Sequence, residues 1–273
     1  MKQATPIWGS RKTPWPGFSA GPRRRRFGMG CVITVFLLAG TTLWAANFQV
    51  NPVNISLTAR TSSALLALRN TSSESLRFQV STYAWDQSPQ GEVLLSPTED
   101  IVAFPGLVTL PPGEERKIRI GRITGISAVE KSYRIFIEEL PPRNDRDKDD
   151  KTQIQFRTKM GVPVFLQPQK QIVEARLEET AVRKGFLTFK LRNTGNTHFV
   201  TKEINVKGLG PQSETLFVQQ PKAWYILAGG YRAYQIELPK QDCGKSLSVA
   251  VEAMIGATIL KENLPMAPGF CAE

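Results

Sequence analysis

Few side chains in this sequence could do bond-making chemistry. His198 is the only histidine in 273 residues. It closes the turn Asn193-Thr194-Gly195-Asn196-Thr197-His198 with no companion to complete a metal set, and a hydrolase would have to use it as its one histidine base. No Gly-rich phosphate loop followed by Lys-Ser/Thr occurs, and no cofactor is expected. Cys31 lies in an apolar stretch near the start of the chain, which leaves Cys243 and Cys271. In an exported protein such an even pair more often forms a disulfide than a metal site. The remaining chemistry is that of the backbone. Lys151 to Pro168, KTQIQFRTKMGVPVFLQP, reads as a long strand. Ile154 and Phe156 alternate with Gln153, Gln155 and Arg157, and Val164 and Leu166 resume an apolar run after a Gly-Val-Pro break. The preceding run Arg143–Asp150 is too charged to be core. A charged loop feeding an alternating strand suggests a sheet edge that another chain could use. An ordinary, half-buried closing strand is the other reading.

The elements that must position these residues begin after a leader. Of 35 cations, seven lie in residues 1–46, which hold no acid; the remaining 28 face 24 acids, a balance of only +4. The overall charge of +11 therefore does not describe the body of the protein, and no nucleic-acid partner is expected. Arg23–Arg26 precede the uncharged stretch Cys31–Ala46, which ends in small residues, the order of a secretory signal. The arginine run also fits a loose twin-arginine pattern. The stretch is short for a membrane span, although an uncleaved anchor is the rival reading. Cleavage near Ala45 or Ala46 would release a chain starting close to Asn47.

From Asn47 the sequence is short alternating runs separated by turn residues, with no convincing amphipathic helix. About seven strands are expected in the first roughly 120 residues, the spacing of an immunoglobulin-like sandwich. A second such unit follows, with Leu187, Phe189 and Leu191 alternating, then runs at 204–206, 216–218, 224–227, 234–236 and 247–249. Leu68-Arg69-Asn70-Thr71 and Leu191-Arg192-Asn193-Thr194 both end an early strand at a turn, an echo that supports duplication. The expected organisation is all-β: leader 1–46, first domain 47–168 and second domain 169–273.

At this point the residues resemble the periplasmic chaperones that assemble pili through the chaperone–usher pathway. The likeness runs along nearly all of Asn47–Glu273. It rests on the Asn70 turn, Trp85, Phe104-Pro105 followed by Leu110–Glu114, Tyr133-Arg134 through Pro142, and Pro163-Val164-Phe165 through Pro168. In the second domain it rests on Asn193–His198 and Leu227–Gly230. The Pro-Val-Phe wording is closer to the non-classical, archaic branch.

The resemblance implies two immunoglobulin-like sandwiches in an L-shaped arrangement with an inter-domain cleft, a periplasmic location and no enzymatic activity. It implies pilus or fimbrial subunits and an outer-membrane usher as partners. A subunit would be held by a strand lent from around Gln153–Lys159, with Ile154 and Phe156 filling the gap in its core. When the protein is empty, those residues would be exposed or shielded by self-association. The family's two carboxylate-anchoring cations fall here on Asn54 and Pro163, with Lys159 offered by another alignment. Arg157 first, then Lys159 and Arg134, are the candidate replacements, since a guanidinium can bind a carboxylate bidentately. Each could equally be a solvated strand-face charge. A secreted two-domain adhesion or carbohydrate-binding protein, presenting Trp224 or Tyr225, is the alternative function, although both residues are expected in strand core.

Overall fold

The structure, a computed structural model, describes residues 47–141, 156–267 and 269–271. The leader, the charged run Arg143–Asp150 and Ile154 lie outside the described residues.

The apolar alternation of the first half becomes ten strands: β1 (Phe48–Asn51), β2 (Ile55–Leu57), β3 (Ser63–Asn70), β4 (Leu76–Gln87), β5 (Val93–Pro97), β6 (Ile101–Phe104), β7 (Leu107–Leu110), β8 (Glu115–Arg122), β9 (Lys131–Leu140) and β10 (Lys159–Leu166). One sheet runs β1-β3-β8-β6; the other runs β2-β10-β9-β4-β5, with β7 also on β4. Alternate residues of both sheets face one core, including Leu66, Leu68, Phe78, Ile118, Ile120, Ile135, Ile137, Val162 and Val164. Each such side chain contributes about 1.5–3 kcal/mol when fully buried.

The second half folds in the same way: β11 (Ala175–Arg183), β12 (Phe186–Asn193), β13 (Phe199–Leu209), β14 (Thr215–Gln219), β15 (Tyr225–Ile226), β16 (Tyr231–Glu237), β17 (Ser248–Ile255) and β18 (Thr258–Pro265), with a single-turn helix α1 (Lys240–Cys243) before β17. Its sheets run β11-β12-β16 and β14-β13-β17-β18, with β15 on β13. A separate core is built on Leu187, Phe189, Leu191, Ile204, Val206, Val249 and Val251. Two sandwiches, each with its own core, make the all-β architecture expected from the periodicity.

Four elements differ from the sequence reading. β7 pairs with β4, although the sequence reading places no strand between Phe104-Pro105 and Pro111; four residues between prolines are too short for alternation to stand out. β11 and β18 escaped notice because Glu, Lys and Asn dilute them, and β11 carries a bulge between Glu178 and Ala181 that breaks its period. The Gly-Val-Pro of β10 is not a break. The strand runs through it in continuous register, with Gly161 opposite Phe136, Val162 opposite Ile135 and Pro163 opposite Arg134. Pro163 is tolerated because the parallel partner β2 begins only at Val164. At Pro163 that side of β10 is an edge, where the missing N–H costs no ladder bond.

The repeated Asn-Thr turn has a physical basis. Asn70 is fully buried, and its Nδ2 donates to the carbonyls of Glu74 (2.7 Å) and Leu110 (2.8 Å), while its Oδ1 accepts from the Ser72 N–H (2.9 Å). Asn193 does the same for the second domain, with donors to Thr197 O (2.8 Å) and Ile226 O (3.1 Å) and an acceptor to the Gly195 N–H (3.0 Å). Each asparagine replaces ladder bonds that end at the turn. Cys243 and Cys271 are bonded, with their Cα atoms 5.9 Å apart, tying α1 to the chain after β18.

Candidate functional site

Side chains directly opposite in antiparallel strands share a face, and the next pair along lies on the other. Pro163, Arg134 and Tyr83 are in register across β10, β9 and β4. They therefore lie on the face of the β2-β10-β9-β4-β5 sheet that looks away from the core. Gly161 with Phe136, and Phe165 with Ser132, occupy the flanking rows of that face. Gly161 matters here: a methyl group would meet the Phe136 ring at 3.1 Å and Nη1 of Arg134 at 3.5 Å. Its absence lets both β9 side chains lie close against β10.

At one end of this face the second domain closes over it. Trp85, Phe165 and Leu227 form a small buried cluster with Trp224 and Tyr225 packed against it. Ring centroids lie 5.9 Å apart for Trp85–Phe165, 5.5 Å for Trp85–Tyr225 and 6.0 Å for Trp85–Trp224. The guanidinium of Arg134 sits against this cluster, 4.2 Å from the Trp85 ring and 5.2 Å from the Trp224 ring. One clamping ring comes from each domain. Burial pushes the Arg134 pKa down, opposed by its electrostatic interaction with Tyr225. An arginine titrates so high that it keeps its charge. Nε of Arg134 and Nε1 of Trp85 are buried with no hydrogen-bond partner among the described residues. A guanidinium and an indole N–H of one cluster, each with an unsatisfied donor, are suited to a planar anion such as a carboxylate.

Two sets of polar contacts fasten the domains around this point. Gln87, the last residue of β4, donates from Nε2 to Tyr225 O (3.0 Å) and accepts at Oε1 from the Leu227 N–H (3.1 Å). Two residues on, Pro89 O accepts from the Ala233 N–H (2.7 Å). On the other side, Glu130 accepts at Oε1 from the His198 N–H (3.0 Å) and its Nδ1 (2.6 Å), and donates its own N–H to Asn196 O (2.9 Å). The His198 ring is stacked on Phe165, centroids 3.6 Å apart and planes 13° from parallel.

Arg134 alone of the three candidate cations reaches the junction. Arg157 is exposed, six residues before Pro163, about 20 Å along an extended chain. Lys159 pairs with Glu138 at 2.8 Å, both half-exposed, and lies over the Phe136 ring at 5.0 Å. Asn54 immediately precedes Ile55, the partner of Val164, which places it at the Pro163 end of the same row. Phe156 is 84% exposed. Among the described residues, Lys159–Pro163 of β10 have a strand partner on the β9 side only, which leaves main-chain groups open along that edge.

Sequence reasoning missed the junction itself. Trp224 and Tyr225 were expected in strand core, yet they pack on the first domain's Trp85. Gln87 and Glu130 drew no attention because polar residues at strand ends are common. The one available signal was the density of aromatic residues at Trp85, Phe165 and Trp224-Tyr225.

Residues 47–171 match the model of the pili and flagellar-assembly chaperones, PapD N-terminal domain. No curated protein sequence matches the chain. Among solved structures, the fold is similar to that of the chaperone–tip adhesion subunit pre-assembly complex CsuC–CsuE from archaic chaperone–usher Csu pili of Acinetobacter baumannii. That match has a TM-score of 0.55 at 15% identity, covering 80% of this chain and 98% of that one. The Class 5 fimbriae chaperone CfaA gives a TM-score of 0.54 at 16% identity, covering 81% and 100%. The Salmonella enterica SafA pilin–SafB chaperone complex gives 0.53 at 15% identity, covering 80% and 96%.

Proposed function

Residues 47–171 carry the PapD N-terminal domain of the pili and flagellar-assembly chaperones, and from that premise we propose that this chain captures pilus subunits by strand donation and passes them to an outer-membrane usher. The observation that carries this reading is the half-open strand β10, whose Lys159–Pro163 segment has a partner on one side only among the described residues. An incoming strand could add to that edge through main-chain bonds. Phe156, exposed upstream on the core-facing parity of Met160 and Val162, and Ile154 before it, would enter the subunit's open core. The subunit's terminal carboxylate would meet Arg134 and Trp85 where the domains join. Lys159 begins β10 and Arg157 precedes it, so they would line the bound chain rather than hold its end. The similar structures that contain a subunit or pilin beside the chaperone support this reading.

The domains are taken as 47–168 and 169–273, the first holding the donor strand and the second contributing Trp224 and Tyr225. The leader 1–46 would direct export to the periplasm. No nucleotide is needed, because the subunit's better-packed final state can drive release.

Co-expression with a pilus subunit, followed by purification from the periplasm, tests the reading. An equimolar complex with a small β-rich subunit is expected. Recovery of the chain alone, with retention on immobilised glycans, would instead favour an adhesin.

A further inference from the structure

Among the described residues, the one buried carboxylate at the junction is bonded to the one histidine of the chain. The Glu130 side chain is 0% exposed, Oε1 accepts both His198 donors, and Oε2 has no hydrogen-bond partner among the described residues. A carboxylate held in such a place is costly unless its partner carries the opposite charge. The same imidazole lies flat on Phe165, and Phe165 touches both Trp85 and Tyr225. Tyr225, which already meets Trp85 and Gln87 of the first domain, is therefore also tied to Glu130 and Phe165 through His198. The other fastener, Gln87 and Pro89, uses amide and main-chain groups that do not titrate.

Resting on the carboxylate-site reading above, we infer that His198 is a positioning residue for that site: protonated, it holds Tyr225 of the second domain, and through it the neighbouring Trp224, against the first domain's Trp85–Arg134 pair. The groups facing its ring are Glu130 from the segment before β9, Phe165 from β10 and Tyr225 from β15. Arg134 is the cation on the far side of the cluster, against Trp85. Lys131, next to Glu130 in sequence, is turned to Asp100 at 3.1 Å. When the imidazolium donates from Nδ1 to Glu130 the bond is charge-assisted. When the ring loses its proton the carboxylate keeps a neutral partner and its Oε2 stays unsatisfied. Histidine is the side chain that makes this change between about pH 5 and 8. The anchor would then be tighter in mild acid than in mild base, with no change in Arg134 itself.

A chain starting at Asn47 retains two tryptophans, Trp85 and Trp224, both in this cluster, so their emission reports the junction without a ligand. Emission is recorded from about pH 5.5 to 8, across the histidine range, for the wild type, His198→Gln and Glu130→Gln. The second variant keeps the histidine but removes the charge it answers. A transition in the wild type that is absent from both variants is expected. A wild-type signal that does not move, or the same transition in both variants, overturns the inference. In parallel, a short labelled Val/Thr-alternating peptide with a free C-terminal carboxylate is titrated at both pH limits, with the amidated peptide as control. Wild type should bind the free acid several-fold more tightly at the lower pH, and His198→Gln should show no such difference. A pH dependence that survives in His198→Gln overturns the positioning role. Equal binding of free and amidated peptides would overturn the carboxylate reading instead, and the emission experiment is independent of that result.

Discussion

Pro163 of β10 stands directly opposite Arg134 of β9, and the two share the sheet face on which the second domain closes. The resemblance aligns an anchoring lysine with Pro163, and the chain has no cation there. Its guanidinium instead projects from the facing residue of the next strand, so a positive charge is kept in the same row of the sheet. Trp85 and Trp224 hold that charge in place from opposite domains.

Arg134→Ala should therefore weaken capture of a subunit or a free-carboxylate peptide by about 1.5–3 kcal/mol, roughly 10- to 100-fold in Kd. Arg134→Lys should recover only part, since an ammonium lacks the planar fork and stacks poorly. Arg157→Ala and Lys159→Ala serve as comparisons. Titration of the three variants against one peptide checks the order; a larger loss in either comparison moves the anchor outward along β10.

Phe156→Ser should cost the empty protein less than about 0.5 kcal/mol, because the ring is 84% exposed. With Ile154→Ser it should nevertheless abolish recovery of a subunit. Val162→Ser, on the same parity but 1% exposed, should instead cost about 2–4 kcal/mol through a cavity and a buried hydroxyl. Thermal melting beside a subunit pull-down separates the two effects. A large drop in Tm for the Phe156 variant would mean that this position belongs to the core.

Unfolded without reductant, the mature chain should titrate with no free thiol, since Cys243 and Cys271 are bonded across 28 residues. Reduction should lower stability by about 3–4 kcal/mol in the chain-entropy account. Denaturant curves with and without reductant measure it; coincident curves would show that the bond contributes nothing.

Asp100 gives an acid-side prediction. Its Oδ2 accepts from the Tyr133 hydroxyl (2.6 Å) and from Lys131 Nζ (3.1 Å). The tyrosine bond first, then the lysine, hold its carboxyl below the ordinary 3.8 against the opposing effect of burial. A folded value below the unfolded one means that the stabilisation is present above about pH 4 and is lost as the pH falls through the folded value. Asp100→Asn should accordingly be less stable near neutrality, by about 0.5–1 kcal/mol given its partial exposure. The difference from wild type should shrink below about pH 4, as Tm measured across acid pH would reveal.

Fold class and duplication were legible in the chain alone. Strand periodicity is a local property, and Leu187-Phe189-Leu191 or Ile118-Ile120 carry it whatever they later pack against. The two asparagine turns were legible for the same reason, because an Asn at a strand end bonds its own neighbourhood. Strands diluted by charge, such as β11 and β18, were not legible, since their pairing comes from the neighbours that cover them. The candidate site divides along the same line. Exposed Phe156 and the alternation leading into β10 could be read from the chain. That Arg134 faces Pro163, that Trp224 reaches Trp85, and that His198 finds Glu130 are facts of register and domain contact. They join residues up to 139 positions apart, from Trp85 to Trp224, and depend on which strands become neighbours. No local pattern encodes that choice; the burial of two sandwich cores and the docking of one upon the other make it.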